Sequence, residues 1–93
     1  MTMKASVQTD HASKYLQQLC KHFAHKVSVQ YTPEKGDVDF GFGNCLMTAD
    51  EKTLSFVCHA DDRPRLGKIE GIISIHLEKF AWREDLELKW NYS

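Results

Sequence analysis

The stretch LCKHFAHK at residues 19–26 gathers Cys20, His22 and His25 within two helical turns, and these are residue types that ligate soft metal ions. Placing side chains at about 100° per residue removes that reading. Leu16, Leu19 and Phe23 mark the buried direction of a helix, Cys20 falls on one flank, and His22 falls on the other with His11 and Tyr15. Cys20 and His22 thus point nearly opposite ways, while His25 lies farther out beside Gln18 and Lys21, so one ion cannot take them from one helix. What remains is a flank of His11, Tyr15, Gln18 and His22, whose two imidazoles stand about three turns apart, too distant to share a metal. That flank serves a ligand only if further contacts come from outside the helix; otherwise it is partly exposed surface.

His76 lies near the centre of a second apolar stripe, between Ile72, Ile73 and Phe80, where a desolvated ring needs a hydrogen-bond partner. A backbone carbonyl or a tyrosine would satisfy it as a core residue. Alternatively it faces a groove between the two helices and meets His22 or Tyr15 there, which makes Tyr15, His22 and His76 the candidate ligand-binding residues. A hairpin with loop residues 50–53 pairs 49 with 54, 47 with 56 and 45 with 58, so Cys45 and Cys58 become inward-facing cross-strand neighbours. They are a redox pair, two soft ligands or, as buried cysteines usually are, small hydrophobes. Asp37 and Asp39, with the acids at 50, 51, 61 and 62, form a negative region that attracts a cation or is simply solvated. The chain has no Gly-rich phosphate loop, serine elbow or HExxH pattern, so no catalytic residues are assigned and the cofactor is left open.

The outer side of the second helix breaks the usual rules. Gly67, Gly71, Ile75, Glu78 and Trp82 fall opposite the core stripe, and each helix-interior glycine costs about 1 kcal/mol relative to alanine. Small residues beside an outward Ile75 and Trp82 suit an interface with a protein partner or a second copy, unless Trp82 lies past the helix end and folds back.

The elements that must position these groups follow from periodicity. Residues 3–8 alternate as a strand, and a helix capped by Thr9 or Asp10 carries Ala12, Tyr15, Leu16, Leu19 and Phe23 on its buried side. Val27, Val29 and Tyr31 share a strand face, and Val38, Phe40 and Phe42 another, with Gly41 and Gly43 breaking that strand or admitting a close approach. NCLMTA and TLSFVCH make the hairpin, with Leu54, Phe56 and Cys58 inward. Asp61 or Asp62 caps a helix with Pro64 in its first turn and a stripe of Ile69, Ile72, Ile73, Leu77 and Phe80. LELKWNY closes as a strand with Leu86, Leu88, Trp90 and Tyr92 inward. The order β-α-β-β-β-β-α-β predicts a single α+β domain over residues 1–93, a two-layer sandwich with both helices on one face of a mainly antiparallel sheet.

Composition limits the function classes. Ninety-three residues with 42% hydrophobic and 27% charged hold one modest core, marginal alone and helped by a partner. A net charge of −1 argues against nucleic acid, although the acids concentrate in residues 34–62. No apolar run reaches membrane-span length and no signal peptide opens the chain, so the expectation is a cytoplasmic protein that does not engage a membrane. Three irregularly spaced cysteines fit free thiols in a reducing compartment.

HASKYLQQLCKHFAHK, the Gly-Asn-Cys strand at 43–45 and HLEKFAWREDLELKW resemble the signature of a bacterial domain-of-unknown-function family, the one numbered 2218, nearly end to end. The resemblance implies context, because similar domains are associated with siderophore-interacting, flavin-dependent reductases and iron-uptake loci. Such a reductase is therefore one expected partner. Cys58 stands outside the family pattern, which implies no family role for a Cys45/Cys58 pair.

Overall fold

A computed structural model describes residues 1–92. Strand β1 (Thr2–Gln8) buries Met3, Ala5 and Val7 and exposes Lys4, Ser6 and Gln8, the alternation that one covered sheet face imposes. Helix α1 (Ala12–Phe23) buries Ala12, Tyr15, Leu16, Leu19, Cys20 and Phe23. Its entry differs from expectation: His11 is the cap and makes no side-chain cap bond, while the Thr9 hydroxyl accepts the His11 N–H at 3.1 Å from just outside the helix. The reason is that the Thr9 N–H still bonds the Lys52 carbonyl, at 2.8 Å, so the chain leaves the sheet too late for Thr9 or Asp10 to cap.

Four strands follow, β2 (Ser28–Tyr31), β3 (Lys35–Asp39), β4 (Gly43–Ala49) and β5 (Thr53–Ala60), each antiparallel to the next. The β4–β5 register places Cys45 opposite Cys58, Met47 opposite Phe56 and Ala49 opposite Leu54. Helix α2 (Arg63–Phe80) begins where the Asp62 carboxylate accepts the Arg65 N–H at 2.9 Å, with Pro64 in the first turn, and buries Leu66, Ile69, Ile73 and Leu77. A two-residue strand, β6 (Asn91–Tyr92), ends the described chain.

The sheet order is β2-β3-β4-β5-β1-β6. Chain connection explains it: α1 carries the chain from β1 to the far edge at β2, the meander walks back to β5, and α2 returns it to the free side of β1. Both helices pack on the face holding Met3, Val38, Cys45, Met47, Phe56 and Cys58, and among the described residues the other face carries no layer, giving the two-layer α+β fold.

Two glycines let the helices sit this close. A Cβ on Gly36 would lie 2.5 Å from the Cys20 sulfur of α1, and one on Gly43 would lie 2.7 Å from both the His59 carbonyl and the Ile69 side chain of α2. Gly41, at φ 88°, turns the β3–β4 hairpin through Phe40–Gly43.

The last strand is a correction. Of residues 86–92 only Asn91 and Tyr92 pair, with Lys4 and Met3. Leu86, Leu88, Trp90 and Tyr92 still turn inward against the core, but their polar ends anchor on α2: Trp90 Nε1 donates to Ser74 Oγ at 3.3 Å and the Tyr92 hydroxyl donates to Glu70 at 2.5 Å. Side chains fastened to the helix let the backbone leave the edge of β1.

Candidate functional site

The ends of α1 and α2 lie side by side, which brings His22 from the last turn of one against His76 of the other. Their ring centroids are 4.6 Å apart, tilted by 44°. His76 is half-buried, and its Nδ1 donates to the Ile72 carbonyl at 2.6 Å, which fixes the ring and leaves Nε2 as its remaining polar atom. Phe23 stands edge-on to His76 at 5.2 Å, and Phe80 edge-on to His22 at 5.8 Å.

The β3–β4 hairpin tip closes the other wall. Phe40 contacts Phe23 edge-on at 5.5 Å and stacks on Phe42 at 5.9 Å, so the alternation that turned Val38 into the core carries these two rings to the groove. The resulting cavity holds about 270 Å³ and is completed by Val27, Ile72 and, at its rim, Lys26. The His22 pKa is pushed below its ordinary value, first by partial desolvation against these rings and then by the positive charge of His76, Lys26, Lys79 and His25.

Tyr15 is placed elsewhere. Its buried hydroxyl donates to Glu84, in the turn after α2, and the Thr9 hydroxyl donates to the same carboxylate at 2.9 Å. Burial first, then Glu84, pushes the Tyr15 hydroxyl up to about 12, and the Tyr15 bond holds Glu84 below the usual carboxylate range. Sequence reasoning missed Glu84; the signal was a tyrosine on a buried flank whose hydroxyl needed an acceptor.

All three cysteines are buried and free. Burial pushes the Cys20 thiol up to about 11, and the hydrogen bond that the Cys45 thiol donates to Cys58, followed by burial, pushes Cys45 well above its ordinary value. Thiols held protonated in this way are poor nucleophiles and poor ligands, and they pack as small hydrophobes. Among the described residues, no three of His, Cys, Asp or Glu gather where a metal ion could sit. Asp39 and Asp50 spend their carboxylates on turn N–H groups, those of Gly41 and of Lys52 and Thr53.

A larger and shallower hollow, about 570 Å³, lies across the hairpin tip beside His59 and Arg65. Two of its polar side chains are already paired, His59 with Thr2 and Arg65 with Asp62. On the outer face of α2, Ile75 is 65% exposed, and nothing stands within 4 Å of a Cβ built on Gly67 or Gly71. Trp82 lies past the helix end and does not fold back; it is 72% exposed, with the Arg83 guanidinium 4.9 Å from its ring centroid.

Fold and groove together define an open-faced, two-layer α+β domain with a small aromatic groove, basic at its rim, where the helices end. The chain belongs to the bacterial family described as "uncharacterized protein conserved in bacteria", domain-of-unknown-function family 2218, whose model matches residues 4–91. It is similar to the protein PA4090 from Pseudomonas aeruginosa, whose NMR structure superposes with a TM-score of 0.82 at 33% sequence identity, covering 97% of this chain and 94% of that one. No curated protein sequence matches the chain. No helix among the described residues is long and apolar enough to cross a membrane.

Proposed function

We propose that this domain binds a small organic ligand in the groove between its helices and works as an accessory module in the cytoplasm, where free thiols persist. The observation that carries this is the meeting of His22 and His76 over a cavity walled by Phe23, Phe40 and Phe42, an apolar pocket with a few convergent polar groups. At about 270 Å³ the cavity falls below the usual range for drug-sized ligands, so a whole ferric siderophore is too large for it. Any part in siderophore-iron metabolism would then run through a small acid or through a partner such as a flavin-dependent reductase. A small-molecule screen read by thermal shift should give stabilising compounds with wild type that His76→Leu no longer responds to. Hits that stabilise both proteins equally would remove the groove from consideration.

A second reading rests on a different observation, the outward Ile75 and Trp82 beside the open backbone of Gly67 and Gly71. This face suits a helix of a protein partner or of a second copy. Gly71→Arg and Trp82→Ala should each weaken that assembly; an oligomeric state and pull-down profile unchanged in both would end the idea.

A further inference from the structure

Resting on the groove reading, we propose that the ligand is a single-ring aromatic carboxylate, its ring held among Phe23, Phe40 and Phe42 and its carboxylate at Lys26, His22 and His76. Size sets the first limit. An apolar cavity of about 150 Å³ accepts benzene, so the 270 Å³ here accommodates one ring and a carboxyl group with little to spare.

Charge sets the second. Among the described residues no acidic side chain lines the groove, although the chain as a whole carries a net charge of −1. Lys26 stands at the rim, and the charged neighbours acting on His22 from both helix ends, His25, Lys26, His76 and Lys79, are all basic. On the hairpin side Lys68 reaches to 5.7 Å from the Phe42 ring centroid. The partial negative charge of the two helix C-termini opposes an anion, and Lys26 and Lys79 are placed to offset it.

Chemistry of the rings sets the third. With Nδ1 committed to Ile72, His76 has Nε2 left to donate to a carboxylate when the ring is protonated. Edge-to-face partners such as Phe23 and Phe40 favour a flat aromatic guest over a puckered aliphatic one.

The test titrates the intact protein with benzoate, cyclohexanecarboxylate and benzyl alcohol while following the His22 and His76 ring protons by NMR. Benzoate should shift both rings saturably and bind about threefold to tenfold tighter than cyclohexanecarboxylate, the worth of an aromatic contact. It should lose about fivefold in affinity with Lys26→Gln, a change at an exposed side chain that leaves the fold intact. Benzyl alcohol or cyclohexanecarboxylate binding as tightly as benzoate would overturn the ligand class while leaving the groove standing. Failure of all three to move either ring would overturn the ligand class and the groove together.

Discussion

The Tyr15 hydroxyl is buried beneath the turn that follows α2, and Glu84 is the acceptor that satisfies it. Losing a buried hydrogen bond to a charged group costs about 1.5–3 kcal/mol, and Tyr15→Phe should lose that much stability near neutral pH. Its pH dependence has a definite sign. Glu84 titrates lower in the fold than its ordinary 4.5, so its contribution is complete above that value and drains as pH falls through the folded value. Tyr15 is raised from 10.0 to about 12, so its contribution is complete below pH 10 and drains as pH rises toward 12. Urea unfolding should show the gap between wild type and Tyr15→Phe widest in the neutral range and narrower at about pH 3 and pH 11; an equal gap at acid pH would detach Glu84 from the effect. Helical phase put Tyr15 on the flank of His22, but phase measures angle and not height. The two are separated by about two turns, roughly 10 Å along the axis, so one flank serves the Glu84 latch at one end and the groove at the other.

Among the elements, α1 and β3 meet where Gly36 leaves room for the Cys20 sulfur. Gly36→Ala, at ordinary backbone φ, should cost about 1–3 kcal/mol by overpacking, and adding Cys20→Ala should recover part of that loss because it removes the atom in the way. Chemical denaturation of the two single variants and the double variant checks this, and strict additivity would show that the close approach is not what the glycine provides. The hairpin of β4 and β5 was readable because a polar turn between two alternating runs fixes register by counting. The strand forecast for residues 86–92 went too far for a related reason: alternation reports which way side chains turn, and says nothing of whether a backbone partner runs alongside. Gly36 escaped notice because a tight approach between elements distant in sequence leaves no local mark.

At the scale of the whole molecule, two apolar helix stripes and one apolar sheet face imply two layers, so the architecture was legible from pattern alone. Strand order was not, because β1 has equal claim to any free edge until the helices' paths are known. Its actual place, between β5 and β6, ties the first strand to residues far along the chain: Thr2 lies opposite His59, 57 positions away. The β2–β5 meander, by contrast, closes through short hairpins. Loop-closure entropy makes the near pairings quicker than the distant one, so β1 should enter a sheet already assembled. Pulse-labelled amide exchange during refolding should protect Leu46 and Val57, paired within the meander, before Ala5, which pairs with Phe56 across β1 and β5; simultaneous protection would refute that order. A nascent chain would then carry the bare edge of β5 until β1 arrives, and its vulnerability to aggregation would be decided by how fast its earliest-made segment finds its place.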